Sequence, residues 1–196
     1  MKDMPRYKDI QLYNYIRIVD HDRQFGAITV KLPDGTVYVS YEGTDCAISG
    51  WYEDARMTYS FPVPAQELAA NYLSRTIRFL DKKVIIGGHS KGGNLAIYSS
   101  VMCSEKTKEK IVEVQSFDSP GFTEEFVESK NYLETERKIL KFVPEDSMIG
   151  VLLNDTASYR IVKSDGEGIH QHDPFLWIIE NNDFVTGEKI HTKAQF

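Results

Sequence analysis

Cysteine is scarce in this chain: two residues, Cys46 and Cys103, among 196. Two thiols make no disulfide framework, and neither stands in a C-x-x-C or Cys/His ligand pattern, so a stapled miniature fold is excluded and a reducing cytoplasm is the expected setting. Long apolar runs are missing too. No window approaches the ~18 uncharged apolar residues of a spanning helix, and the opening MKDMPRYKDI lacks the apolar core of a secretory signal, so stable membrane insertion is not expected. There is no basic excess: 23 Lys and Arg stand against 29 Asp and Glu, a formal net charge of -6. A nucleic acid or an anionic membrane surface would want a basic face, and neither is expected as a partner. No H-E-x-x-H motif and no Cys/His cluster calls for a metal, and nothing calls for an organic cofactor. No repeat, low-complexity tract or Pro/Gly/Ser linker divides the chain.

What is present is globular: 41% hydrophobic and 27% charged residues, enough for one core, so residues 1–196 are expected to form a single compact domain. After a candidate helix near Lys8–Val19, the β-rich runs AITVKL and TVYVSY flank PDG, a hairpin signal. AQELAANYLSRTIRFL sets Leu68, Leu73, Ile77 and Leu80 near one face and reads as a helix over 65–80. KVIIGG, KIVEVQSF, RKILKFV and SYRIVKS read as further strands. SKGGNLAIYSSVMC and TEEFVESKNYL supply helices between them. Strands alternating with helices imply right-handed crossovers and a mainly parallel central sheet covered on both faces, a three-layer α/β-hydrolase-like sandwich. A ligand is expected beyond the carboxyl ends of its strands.

At one such end, Gly88-His89-Ser90-Lys91-Gly92 fits G-x-S-x-G. The motif is short, so its context decides: an apolar strand leads in, and Gly92, Gly93 and Ala96 follow within a helix. A nucleophile elbow needs small neighbours because its serine occupies a strained backbone conformation. The helix N-terminus beneath Ser90 also supplies N–H groups where an oxyanion develops. The competing reading is a glycine-rich turn or phosphate cradle, but no G-K-[ST] follows.

Five histidines could serve Ser90 as base. His21 precedes the core strands, His89 lies inside the elbow, and His191 sits in a polar tail. His170 and His172 remain, directly after the last strand, where the order Ser, Asp, His expects the base. Two aspartates follow strands: Asp118 in QSFDSPGF and Asp146 in KFVPEDSM.

GGHSKGGNLA resembles the elbow of the class 3 (fungal-type) lipases, and VSYEGTDCAISGWYEDARM is similar to that family's F-R-G-T segment followed by W-x-x-D. The resemblance runs roughly from Val37 to Trp177 and is strongest to a bacterial branch of the group, whose QHDPF-W segment matches around His172. It implies an α/β-hydrolase fold and a serine nucleophile, Ser90, with His172 rather than His170 as base. It also implies an oxyanion hole from Thr44 and the backbone N–H of Lys91, and structural roles for Trp51 and Asp54. Class 3 lipases take their acid after the strand that precedes Asp146. Aligning SMIG with their D-x-V-P motif, however, puts Ser147 on the aspartate's place. The segment around Asp118 resembles the acid loop of pancreatic-type lipases, so Asp118 is the favoured acid and Asp146 the fallback.

Glu42 and Lys91 depart from the family's arginine and leucine. They are expected to compensate each other's charge, or else to be two solvated surface groups. MTYSFPVP, Met57–Pro64, is apolar enough for a lid or pocket wall, or for a core-packing connection. The expected activity is hydrolysis of a carboxylic ester, lipid or small molecule, through an acyl-enzyme. The alternative is an inactive hydrolase-like scaffold that binds a ligand or protein. Acyl chain length and oligomeric state leave no mark in the sequence.

Overall fold

The computed structural model describes residues 4–5, 7–21, 23–44 and 60–191. Cys46, Trp51, Asp54 and the first part of Met57–Pro64 lie outside them. A seven-stranded sheet forms the centre, its strands in sequence order: β1 (Gln11–Val19), β2 (Gln24–Lys31), β3 (Val37–Tyr41), β4 (Val84–His89), β5 (Ile111–Phe117), β6 (Ile139–Pro144) and β7 (Tyr159–Val162). β1, β2 and β3 pair antiparallel, and β3 through β7 run parallel. The PDG hairpin therefore joins β2 to β3 as read. The helix expected near Lys8–Val19 is instead strand β1. Its register shifts between Tyr13 and Ile16, where Asn14 takes φ 52°. That bulge turns a period of two into an apolar spacing that mimics a helical face.

The helices are α1 (Pro64–Thr76), α2 (Lys91–Met102), the short α3 (Glu105–Lys108) and α4 (Glu124–Val127), and α5 (Lys130–Glu136). α1 stops before the predicted Leu80, because Ile77 is extended and Asp81 accepts from the Arg78 N–H at 2.7 Å. Phe79 and Leu80 consequently face solvent.

Each parallel strand is added on the same side of its predecessor, so right-handed crossovers lay the helices on one face of the sheet. There Val37, Val39, Tyr41, Val84, Ile86, Ile111 and Val114 bury against Ala65, Ala69 and Leu73 of α1 and Leu95, Ala96 and Ile97 of α2. On the other face the C-terminal segment crosses β5 to β7. Trp177 and Phe184 pack with Phe117, Phe142 and Val162. The segment includes a small hairpin, β8 (Ile179–Glu180) with β9 (Asp183–Phe184). The result is a mostly parallel α/β sandwich of the hydrolase type. Because β3 to β7 share one direction, residues 42–44, Ser90, Asp118 and Ser147 all emerge at the same end of the sheet.

Candidate active site

Ser90 stands between the end of β4 and the first turn of α2, with φ 56° and ψ -129°. That region is costly for a residue with a side chain and persists only where the surroundings enforce it. They do so here. The Ser90 N–H donates to the Phe117 carbonyl at 2.9 Å, pinning the turn to β5. A Cβ on Gly88 would fall 2.3 Å from the Gly92 backbone, and one on Gly92 would fall 2.4 Å from the Tyr41 oxygen. The glycines of the motif are thus demanded by the approach of strand, helix and the β3 end.

Next to the elbow, Asp118 follows β5 with φ 47° and is fully buried. Its Oδ1 accepts from Ser147 Oγ at 2.5 Å and from the Gly150 N–H at 3.0 Å. Its Oδ2 lies 2.6 Å from Nδ1 of His172. A carboxylate only accepts, so Nδ1 carries the hydrogen, and in the neutral ring Nε2 then presents its lone pair. His172 ends a 3-10 turn, Gly168–His172, and keeps about a quarter of its side chain exposed. His89 leans on it: His89 Nε2 donates to the His172 carbonyl at 2.7 Å, and the two rings are 4.4 Å apart. Burial first, and then the neighbouring imidazole, hold the His89 pKa below its ordinary value.

Asp146 does not face His172. It binds the residue before it, with Gln171 Nε2 donating to Asp146 Oδ2 at 2.8 Å and the Asp146 N–H donating to Gln171 Oε1 at 2.9 Å. His191 Nδ1 lies 3.3 Å from the other Asp146 oxygen. His170 points to neither aspartate in any hydrogen bond among the described residues. Sequence reasoning missed the part of Ser147. The position where the lipase alignment expects an acid holds a hydroxyl that donates to Asp118, and the SMIG misalignment was the one visible signal. Among the described residues no hydrogen bond joins Ser90 Oγ to His172, although Asp118, His89 and the Phe117 carbonyl bring their segments together.

On the β3 side, a Cβ on Gly43 would sit 3.6 Å from Ser90 Cβ and 2.8 Å from the His89 oxygen, so this backbone lies directly against the elbow. Thr44 follows it. Glu42 is half-exposed, and Arg17 Nε lies 3.4 Å from its carboxylate. Lys91, by contrast, is buried, and its Nζ donates to the Gln24 carbonyl at 3.0 Å and to Gln24 Oε1 at 2.6 Å. Lys91 is therefore no solvated surface charge, and Glu42 takes counter-charge from Arg17. No group of three His, Cys, Asp or Glu among the described residues could hold a metal ion. None of the described helices is long and apolar enough to cross a membrane.

A glycine-locked serine elbow, on a mostly parallel sheet whose next strand carries an aspartate bonded to a histidine, belongs to the hydrolase-like α/β scaffolds, and solved structures agree. The Rhizomucor miehei lipase in its propeptide complex superposes with a TM-score of 0.60 at 16% identity, covering 79% of this chain and 57% of that one. A fungal lipase–inhibitor complex does so with 0.60 at 16%, covering 79% and 67%. Identity this low shows the fold, and the chain spans little more than half of the Rhizomucor lipase chain. The sequence model of the Mbeg1-like family matches residues 1–196, and the chain belongs to that family. No curated protein matches it.

Proposed function

We propose that the protein is a serine hydrolase that cleaves a carboxylic ester through an acyl-enzyme. The observation that carries this reading is the buried Asp118 carboxylate bonded to His172 Nδ1 beside a serine held in a strained elbow. Strain and a buried carboxylate–imidazole pair both cost stability, and a reacting serine accounts for both at once.

In the reaction, Ser90 Oγ attacks the ester carbonyl carbon while His172 Nε2 takes its proton. The carbonyl oxygen becomes an oxyanion, received by Thr44 and the Lys91 N–H at the head of α2. Collapse breaks the carbonyl–alkoxy bond, and the imidazolium returns the proton to the departing alcohol. Water then attacks the acyl-enzyme with His172 again as base, releasing the acid and restoring Ser90. Asp118 stays ionised throughout, orienting the ring and balancing its charge. Each oxyanion donor lowers the barrier by on the order of 3 kcal/mol. Ile169 and Phe175, three residues either side of His172, are 51% and 95% exposed. Apolar side chains so placed favour an apolar ester over a charged one.

The second reading, a scaffold that binds without turnover, draws on the missing Ser90–His172 hydrogen bond. Catalytic hydrogen bonds are often longer without substrate, so this feature does not outweigh the pair. Turnover of p-nitrophenyl esters of graded chain length separates the two. Hydrolysis that vanishes in Ser90→Ala supports the hydrolase, and equal rates in wild type and Ser90→Ala sink it.

A further inference from the structure

A buried lysine at the first position of a helix is doubly unfavourable. Burial strips the ammonium of water, and the positive end of the helix dipole lies beside it, with no acidic residue in the first turn of α2 to offset either. Lys91 sits there 1% exposed, one residue from Ser90. What it binds is informative. Gln24, itself fully buried at the start of β2, receives two hydrogen bonds from Nζ, on its carbonyl and on Oε1. Its Nε2 then donates to the Gly43 carbonyl at 3.1 Å. The two neighbours leave the amide one orientation: ammonium needs oxygen, and the Gly43 carbonyl needs N–H. An ammonium on Oε1 also polarises the amide and makes its N–H the stronger donor.

The consequence lies in the next peptide unit. A trans peptide is planar, with C=O and the following N–H on opposite sides. Holding the Gly43 oxygen toward Gln24 therefore turns the Thr44 N–H away from it and fixes the plane of the segment packed on Ser90. We propose that Lys91 and Gln24 are positioning residues. Their side chains form a buried, charge-driven clamp that sets the Gly43–Thr44 backbone for oxyanion binding, while the Lys91 N–H supplies the second donor. One residue thus serves the site through its backbone and through its side chain. This inference rests on the hydrolase reading and adds to it how the donor loop is held.

Gln24→Glu is the discriminating change. Glutamate is the same size and keeps a partner for Lys91, so the contact between β2 and α2 survives. It has no hydrogen for the Gly43 carbonyl and places a second oxygen against it. The experiment measures the rate constant for phosphonylation of Ser90 and the apparent affinity with a fluorophosphonate, plus the melting temperature, for wild type, Gln24→Glu and Lys91→Met. The rate constant reads only folded molecules, because misfolding lowers the amplitude instead. Expected is a phosphonylation constant about 10- to 100-fold lower in Gln24→Glu, with affinity within about twofold and the melting temperature held. Lys91→Met, which leaves Gln24 unclamped, should also be phosphonylated more slowly. Phosphonylation of both folded single variants at the wild-type rate overturns the inference alone. Should Gln24→Glu not fold, Lys91→Met at the wild-type rate does so by itself. If wild type does not label, the hydrolase reading falls and takes this inference with it.

Discussion

Replacing Asp118 by asparagine should nearly abolish the reactivity of Ser90 while leaving the fold intact, and the surroundings of the side chain say why. Position 118 has φ 47°, a conformation asparagine adopts at least as readily as aspartate. Two donors, Ser147 Oγ at 2.5 Å and the Gly150 N–H at 3.0 Å, converge on one oxygen. An asparagine must keep its carbonyl oxygen there, because turning the amide would set N–H groups against both. Its NH2 group is then forced toward His172 Nδ1, 2.6 Å away in the wild type. An N–H facing Nδ1 requires the tautomer with hydrogen on Nε2, and that nitrogen can no longer take the Ser90 proton. The loss expected is about 10,000-fold in the rate at which Ser90 reacts, or about 5.4 kcal/mol at 1.36 kcal/mol per decade. Stability should change by only about 1 kcal/mol, since the bonds to Oδ1 survive. Asp118→Ala differs, because it strands a buried imidazole N–H and the donors of the loop, at a cost of about 3–5 kcal/mol. The assay is the rate at which a fluorophosphonate phosphonylates Ser90, paired with nitrogen-15 spectra that report the His172 tautomer. A folded Asp118→Asn protein that is phosphonylated within tenfold of the wild-type rate would refute the reasoning.

Asp146→Ala should slow phosphonylation of Ser90 by no more than about tenfold, because it frees Gln171 without touching His172; a loss as large as that of Asp118→Asn, in the same assay, would mean the wrong aspartate has been assigned. His89 is held below its ordinary value of 6.5, so the unfolded chain takes up a proton there that the folded protein resists. Its contribution to stability is therefore complete above pH 6.5 and lost as pH falls toward the depressed folded value, and urea midpoints at pH 7.5 and 5.5 should separate more in wild type than in His89→Gln. Burial pushes the Cys103 thiol up to about 12, so peptide mapping after iodoacetamide at pH 8 should find Cys103 unmodified in folded protein and alkylated in urea.

The elbow was legible in the sequence because its steric demands are local: Gly88, Gly92 and Gly93 sit within five residues of Ser90, and glycine at such spacing has few other uses. Asp118 was legible for a related reason, as an acid at the end of a buried strand adjoining the elbow. The hairpin and the parallel strands announced themselves through turn chemistry and apolar runs. Strand β1 did not, since a bulge at Asn14 breaks the alternation that identifies a strand. The end of α1 was placed too late because Leu80 continues the apolar period while Asp81 has already capped the chain into a turn. Hidden most deeply were Gln24 and Ser147, polar residues whose roles depend on partners 67 and 29 positions away. No local pattern distinguishes a buried glutamine that clamps a lysine from a solvated one. Glu42 shows the same limit: its departure from the lipase pattern was visible, but Arg17, the residue that answers it, comes from the far side of a neighbouring strand.

The central claim is that Ser90 is an activated nucleophile, and intact-mass detection of fluorophosphonate labelling tests it most directly. The account predicts one adduct per chain, mapped to the peptide carrying Ser90 and lost in folded Ser90→Ala. Wild-type protein that is folded yet gains no adduct, or a Ser90→Ala variant that gains the same one, would contradict it.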